Sequence, residues 1–594
     1  TVNGSIGFDD RFLGKPLVYC GTAGIMPARI GGRTTHHKEI QPNDLIVMTG
    51  GRIGKDGIHG ATFSSEELHE GSPVTAVQIG DPITQKKMTD FLLAARDRGL
   101  YRALTDNGAG GLSSSVGEMA TYSGGCELDL THAPLKYAGL QPWEILISEA
   151  QERMTLAIDP KKINAFLELA QKMGVEATVM GRFTDSGKFH VLYGGKTVAY
   201  LDMEFLHEGV PQMRLNARWK KPKNSEPRLA PLNNYGTELK KMLARLNICS
   251  KESVVRQYDH EVQGGSVIKP LVGAQNDGPS DAAVVRPLLD SVEGVVVAHG
   301  ICPRYSDIDT YHMTACAIDE AIRNAVAVGA DIDHLAGLDN FCWCDPVQSA
   351  KTPDGEYKLA QLVRANMAIY DYTTAFGVPC ISGKDSMKND YQIGRTKISI
   401  PPTILYSVIG RIRDVRQAVT MDAKRPGDLI YIVGETSDEL GGSEWFAMKN
   451  FIGNTGPRVD ARRALKIYRA LHQAITAGIV ASCHDCSDGG LAVALAETAL
   501  AGMLGMKIDL VSVPYQGKKR NDFILFSESA SRFIATVRPE DEKSFMRIMK
   551  GNVMGKIGVV TADEKLEITG IDAKHVIQEN INALRSAWQK TLNF

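Results

Sequence analysis

HDCSDGGLAVALAE (residues 484–497) sets two aspartates and a glycine pair ahead of an apolar helical run, and TDNGAGGLSSSVGE (105–118) repeats the arrangement. Superposing the two aligns Asp106 with Asp485, Gly110 with Gly489, Gly111 with Gly490, Leu112 with Leu491 and Glu118 with Glu497, each at an offset of 379. The same offset carries SEAQERM (148–154) onto SESASRF (527–533), so that Ser148 meets Ser527, Glu149 meets Glu528 and Arg153 meets Arg532. DLIVMTG (44–50) meets DLIYIVG (428–434) at 384, and LDL (128–130) meets IDL (508–510) at 380. A period this long is beyond any solenoid unit and indicates duplicated domains.

Each copy reads as mixed α/β (α+β) in two parts. In the first part, β-branched runs such as AAVV and GVVVAHG alternate with helical patterns at 311–330 and around 359–377. The second part runs from DLIV or DLIY through the Gly-rich turn and a helix to a closing strand, RMTLAID or RFIATVR. The stretch KKPKNSEPRLAPLNNYG (220–236) has linker composition. Asp428 follows Ser280 by 148 positions, whereas 43 residues precede Asp44, so the first copy is expected to lack its front half. What survives of it is one strand-like run, LVYCGTAGIM (17–26), parallel to ILYSVIGRI (404–412). The expected domains are a remnant at 1–43, a first-copy C-terminal domain at 44–215, a linker at 216–265, and second-copy N- and C-terminal domains at 266–425 and 426–594. Because the chain starts at Thr1 without an initiator Met, an upstream portion is expected to have been removed.

Composition narrows the function classes. A hydrophobic content of 43% supports several cores, and a formal net charge of −2 gives no electrostatic footprint for nucleic acid or an anionic membrane. No run of 18 apolar residues occurs, so no membrane span is expected. Ten cysteines without a framework spacing fit reduced thiols in a cytoplasmic protein. The 58 glycines, about a tenth of the chain against a usual ~7%, imply many tight turns or close backbone approaches to a ligand.

The candidate sites follow from oxygen donors near helix starts. Asp485 and Ser487 precede a helix whose free amides and positive end suit phosphate, and a carboxylate beside phosphate requires a bridging cation such as Mg²⁺. The plainer reading is an Asp/Ser helix cap. Glu320 and Asn324, four apart, project from one helix face as two oxygen donors, unless they form a solvated polar face. Asp281 and Asp339 stand at turn edges, where capping is the default. GGRIGKDGIHGA (50–61) fails as a P-loop, because Thr49 falls at the first glycine position and Asp56 at the Mg²⁺-binding hydroxyl. The pairs Cys342/Cys344 and Cys483/Cys486 lack the partner spacing of a structural zinc site, and no nucleophile elbow is present.

Taken together, TVNGSIGFDDRFLGKPLVYCGTAGIMP, GRIGKDGIHGATFSS, VQIGDP, SEAQERM, RQYDHEVQGG, SGKDSMKND and HDCSDGG resemble the phosphoribosylformylglycinamidine synthase family, in order and over essentially the whole chain. The resemblance implies tandem synthetase modules of the aminoimidazole ribonucleotide synthetase-like fold, the first truncated. It implies a carbon–nitrogen ligase of purine biosynthesis. ATP phosphorylates the amide oxygen of formylglycinamide ribonucleotide, and ammonia from a glutaminase subunit or domain displaces the phosphate. Gln78, Glu149, Ala150, Gln151 and Ser386 match substrate contacts, Asp339 and Gly383 match ATP contacts, and Asp106 matches a metal ligand. The catalytic face is expected to draw on the first copy's C-terminal domain and the second copy's N-terminal domain. A second, auxiliary nucleotide site is implied, with Asp281, Glu320, Asn324 and Asp485 as Mg²⁺ ligands and Ser280 and Ser487 beside an ADP. Two positions depart from the pattern: Lys384 stands where short members carry a metal-binding Asn, and Ala150 replaces a Ser. The family's catalytic His, an ATP-contacting Lys and a His-rich substrate loop belong to the front half, so no catalytic residue is assigned here and the missing portion is an implied partner. A related ATP-dependent synthetase, or a non-catalytic nucleotide-binding scaffold, is the alternative.

Overall fold

The computed structural model describes residues 1–69, 76–77 and 79–594. It divides into two compact units, one formed by Val18–Arg214 with Tyr391–Lys397 and the other by Thr1–Leu17, Leu215–Asp390 and Ile398–Phe594.

In the unit built around Val18–Arg214, seven strands form one sheet: β1 Leu45–Gly50, β2 Ala103–Asn107, β3 Cys126–Asp129, β4 Ala150–Ile158, β5 Ala177–Phe183, β6 Lys188–Tyr193 and β7 Lys196–Asp202. Their order is β7-β6-β3-β5-β1-β4-β2, antiparallel throughout except for the β3–β6 pair. Strand β1 is a continuous apolar run because both its faces are covered. Ile46 and Met48 pack into a core with Leu112 and Val116 of helix α1, Gly111–Ala120, while Val47 points into the opposite core with Phe91, Leu156 and Phe166.

The other unit carries two large sheets. Strands β8 Ser266–Ile268, β9 Ala283–Val285, β10 Gly294–Ile301, β11 Leu335–Cys342, β12 Cys380–Ser386 and β13 Thr403–Ile412 are ordered β8-β9-β10-β13-β11-β12. Helix α2, Thr310–Ala327, packs on β10 and β13, and α3, Gly355–Phe376, packs on α2. Asp309 caps α2 by accepting from the Tyr311 amide, and Gly377 ends α3 in the left-handed conformation. The second sheet comprises β14 Leu429–Val433, β15 Val480–Asp485, β16 Gly505–Asp509, β17 Phe533–Val537, β18 Met554–Thr561, β19 Lys565–Thr569 and β20 His575–Asn580. Helix α4, Gly490–Gly502, follows β15. Its order, β20-β19-β16-β18-β14-β17-β15, repeats that of the first unit strand for strand, including the single parallel pair β16–β19. Register is kept as well: Asp106 lies opposite Met154 and Asp485 opposite Phe533, partners that are themselves 379 apart. The repeat seen in the sequence is a repeat of fold.

Two expectations need correction. Residues 17–26 form no strand; Val18, Ile25 and Met26 are exposed, so the run has neither a ladder partner nor a core to face. The stretch expected to be linker through 265 turns helical at Gly236–Leu243, where Leu239, Met242 and Leu243 are buried in the main core.

The turn between β2 and α1, and its copy between β15 and α4, depend on glycine. Gly111 and Gly490 have φ of +56° and +67°, and a Cβ on either would lie 2.4 Å from the carbonyl oxygen of Ser148 or Ser527. Left-handed strain and the clash act together, so Gly111→Ala and Gly490→Ala should each cost about 2–3 kcal/mol in denaturant unfolding, as left-handed non-glycine residues and buried overpacking do.

Candidate functional site

In the first copy, Asp106 is the penultimate residue of β2, exposed, with Oδ1 accepting from the Gly108 amide at 2.8 Å. Gln151, exposed near the start of β4, brings its side-chain amide toward the same turn, 3.8 Å from where a Cβ on Gly108 would stand. Ala150 is buried and paired in register with Asn107. Glu149 is 4% exposed, and its carboxylate accepts from the amides of Ala61 at 3.1 and 3.2 Å and Gly110 at 3.3 Å. Buried Arg153 donates to the carbonyls of Ser148 at 2.9 Å and Gly51 at 3.0 Å; burial pushes its guanidinium down to about 10, against the pull of Glu152. Gln78 lies outside the described residues.

The helix start is not capped by Asp or Ser in either copy. Gly110 and Gly489 are the N-cap residues, both left-handed and without a side-chain cap bond, so the plain capping reading fails. Asp485 is the last residue of β15 rather than part of the turn.

In the second copy, Asp281, His484 and Asp485 form the one group of three metal-capable side chains found among the described residues. His484 is occupied at both nitrogens, Nδ1 at 2.8 Å from Asp281 Oδ1 and Nε2 at 3.1 Å from Glu497 Oε2. Burial opposes its charge, but the two carboxylates override this and hold the ring protonated well above the usual histidine range. It therefore orients Asp281 instead of ligating a metal. The Asp485 amide also donates to Asp281 Oδ1, at 3.1 Å, which leaves Oδ2 buried and without a partner among the described residues. Asn324 Oδ1 is in the same state, its amide donating to the His299 carbonyl at 3.2 Å. Buried polar oxygens are rarely left unpaired, and two orphans among carboxylates are what a hard cation with oxygen ligands requires. The residue set thus fits Mg²⁺.

Arg323, buried between Glu320 and Asn324 in sequence, donates through Nε and Nη2 to Asp485 Oδ2 at 3.1 and 3.0 Å and through Nη1 to Asp319. Asp319 in turn accepts from Tyr468 and from Ser531 Oγ. Glu320 accepts from the Ile301 amide and the Cys302 thiol, both at 3.1 Å. Burial lifts its carboxyl to about 7, with the Arg323 charge opposing and Asp485 adding to the lift. Burial likewise raises Asp485, with Arg323 pulling it back. Ser280 Oγ turns onto its own segment, donating to the Ala282 carbonyl at 3.0 Å, and Ser487 lies in the turn after β15. Asp339 and Gly383 are register partners on parallel strands β11 and β12, and Ser386 ends β12 with Oγ 3.3 Å from Asn389 Oδ1. Burial raises the Asp339 carboxyl, and Lys384 Nζ donates to the neighbouring Asp385 carbonyl at 2.6 Å. The ten cysteines are all free, and none belongs to the metal-capable group found among the described residues. No helix is long and apolar enough to cross a membrane among the described residues.

Sequence reasoning missed Arg323 and His484. Their partners lie 162 and 203 positions away, beyond any local pattern.

Comparison with known proteins agrees with this architecture. The model of the AIR synthase related protein C-terminal domain matches twice, at 41–194 and 425–571, and that of the N-terminal domain matches 279–412. The chain is thus of the AIR synthase-related class, with its C-terminal domain duplicated. It is 32% identical over its whole length to phosphoribosylformylglycinamidine synthase subunit PurL of Thermoplasma acidophilum, covering 76% of that protein. It is 35% identical over 572 residues to the subunit PurL of Ignicoccus hospitalis, 94% of this chain and 75% of that one. The chain belongs to the phosphoribosylformylglycinamidine synthase subunit PurL family. The solved structure of Thermotoga maritima PurL complexed with FGAR shares the fold, at a TM-score of 0.64 and 22% identity over 89% of this chain and 73% of that chain. The same protein complexed with ATP superposes at 0.59 with 20% identity, over 89% of this chain and 72% of that one.

Replacing Arg323 with Met strips the counter-charge from two buried aspartates, so it should destabilise the protein by about 3–5 kcal/mol in urea unfolding. Adding the Asp485→Asn change should recover part of that loss.

Proposed function

We propose that this chain carries the synthetase chemistry of its family: ATP-dependent amidation of formylglycinamide ribonucleotide in purine biosynthesis. The γ-phosphoryl group of ATP passes to the amide oxygen, giving an iminophosphate and ADP. Ammonia then attacks the activated carbon, the C–O bond breaks with release of phosphate, and the amidine remains. Ammonia comes from a glutaminase partner, and the ten free cysteines accord with a cytoplasmic setting.

The observation that carries this reading is the divergence of two equivalent carboxylates. Asp106 stands exposed beside Gln151 on the Gly-rich turn, whereas Asp485 is buried and half-neutralised by Arg323. An open carboxylate suits a site where substrate comes and goes; a buried one suits a resident ligand. Asp106 is assigned as the Mg²⁺ ligand of the reacting site, with Ala150, Gln151, Gln78 and Ser386 on the substrate side, Asp339 and Gly383 on the ATP side, and Glu149 holding the turn that carries Asp106. Asp281, Glu320, Asn324 and Asp485 would hold Mg²⁺ at the second site, with Ser280 and Ser487 beside a retained ADP. When bound, the metal neutralises phosphate charge during transfer. The protein's own part is to position: the turn fixes Asp106, and the paired strands β11 and β12 hold Asp339 against Gly383.

With ATP and Mg²⁺, the protein as the cell makes it should release phosphate only when formylglycinamide ribonucleotide and ammonium are both present, and Asp106→Asn should lower kcat by about 100-fold, the usual cost of losing a positioning charge. Phosphate release indifferent to either substrate rejects the proposed reaction. Asp485→Asn combined with Glu320→Gln should leave the purified protein without bound ADP while Asp106→Asn retains it, as read by chromatography of the denatured supernatant.

A further inference from the structure

Glu149 and Glu528 occupy matching places in the two copies, and the structure gives them matching work. Each is 4% exposed. Glu149 accepts from the amide of Gly110 in the Gly-rich turn and from that of Ala61 in the first turn of the short helix Gly60–Ser64. Glu528 Oε1 accepts from Gly489, the counterpart of Gly110, at 2.8 Å, and from Glu444 at 2.9 Å, which opens the short helix Glu444–Met448. Its Oε2 accepts from the Tyr305 hydroxyl at 2.7 Å. The carbonyl just before each glutamate is held by a buried arginine, Arg153 on Ser148 and Arg532 on Ser527, at 2.9 and 2.6 Å. That same carbonyl is the atom against which Gly111 or Gly490 packs. Two copies whose ligand-facing residues have diverged keep this clasp unchanged, which separates it from ligand specificity.

We propose that Glu149 and Glu528 are positioning residues, each tying the Gly-rich turn of its own copy to a short helix earlier in that copy, and that the Glu149 side chain acts on substrate only through the turn that carries Asp106. This rests on the function proposed above for its kinetic arm but not for its structural one. The chemistry required is that of an acceptor. A single oxygen at the Oε1 position takes both amides in either copy, so a neutral glutamine can do the work and a methionine cannot. A carboxylate that touched substrate through its charge would have the opposite requirement.

Hydrogen exchange read by mass spectrometry on the whole protein tests the structural arm. Glu149→Met should speed exchange about tenfold or more in peptides covering 105–118 and 57–65, the expected effect of removing a charged acceptor from two amides, while Glu149→Gln leaves them within about threefold of wild type. Glu528→Met should do the same for 484–497 and 440–448, and neither methionine variant should disturb the other copy. Gly60→Ala is an independent route, since its Cβ would lie 2.8 Å from Glu149 Oε2 and push the carboxylate aside without changing its charge; it should mimic Glu149→Met at the 105–118 turn. In turnover, Glu149→Met should lower kcat about tenfold or more with KM for formylglycinamide ribonucleotide little changed, as a misplaced turn would, and Glu149→Gln should recover most of that loss. If Glu149→Gln and Glu149→Met are equally damaging and raise KM alone, with exchange at 105–118 unmoved, the side chain contacts substrate and the proposal is wrong. Should wild type fail to use formylglycinamide ribonucleotide at all, the proposed function falls, and the exchange results still decide the clasp.

Discussion

Everything at the two Gly-rich turns follows from one close approach: a glycine α-carbon seated against the carbonyl of a serine 37 positions later, where no side chain fits. Seating it there brings the end of a sheet strand, the start of a helix and the next strand to one point. The carbonyl is gripped from the other side by a fully buried guanidinium, a costly group to desolvate that is stabilised here by donating to several backbone oxygens at once. Asp106 and Asp485 take their places from this packing. Neither helix start is capped by its own side chain, and the amide of each N-cap glycine is served by a glutamate arriving from elsewhere in the chain.

Given that shared frame, the two corners differ in electrostatics more than in shape. Around Asp485 the protein supplies its own cations, Arg323 and a protonated His484, and still leaves Asp281 Oδ2 and Asn324 Oδ1 without donors among the described residues. Around Asp106 the corner is solvated, and its carboxylate is committed only to a local amide through one oxygen. On the function proposed above, the buried, pre-neutralised corner would exchange its ligand slowly, and the wet carboxylate would bind and release a metal-bound phosphate on each cycle.

The duplication and the placement of the matched aspartates and glycines were legible in the sequence because each is a local pattern repeated at a fixed offset, and the helix carrying Glu320 and Asn324 because its own apolar periodicity is local. Strand order was not stated by the sequence, yet its identity in both copies follows from that repeat. Arg323 and His484 were illegible because their meaning lies in partners more than 150 positions distant. Residues 17–26 misled for the opposite reason: the run is strand-like in composition, but a strand exists only where a neighbour completes its ladder. The amides that Glu149 accepts from were also hidden, since those of Ala61 and Gly110 lie 88 and 39 positions from it.

The parallel pair near one end of each seven-stranded sheet, β3 with β6 and β16 with β19, shows where the fold tolerates change in chain length. The numbering offset between copies slips by one at 128–130 and returns by Ser148, so an extra residue ahead of that pair is taken back before the chain regains the serine carbonyl. Gly111 to Ser148 and Gly490 to Ser527 therefore act as rulers of equal measure. Between them a one-residue gain is made and then reversed, so the glycine-to-serine span is 37 positions in both copies.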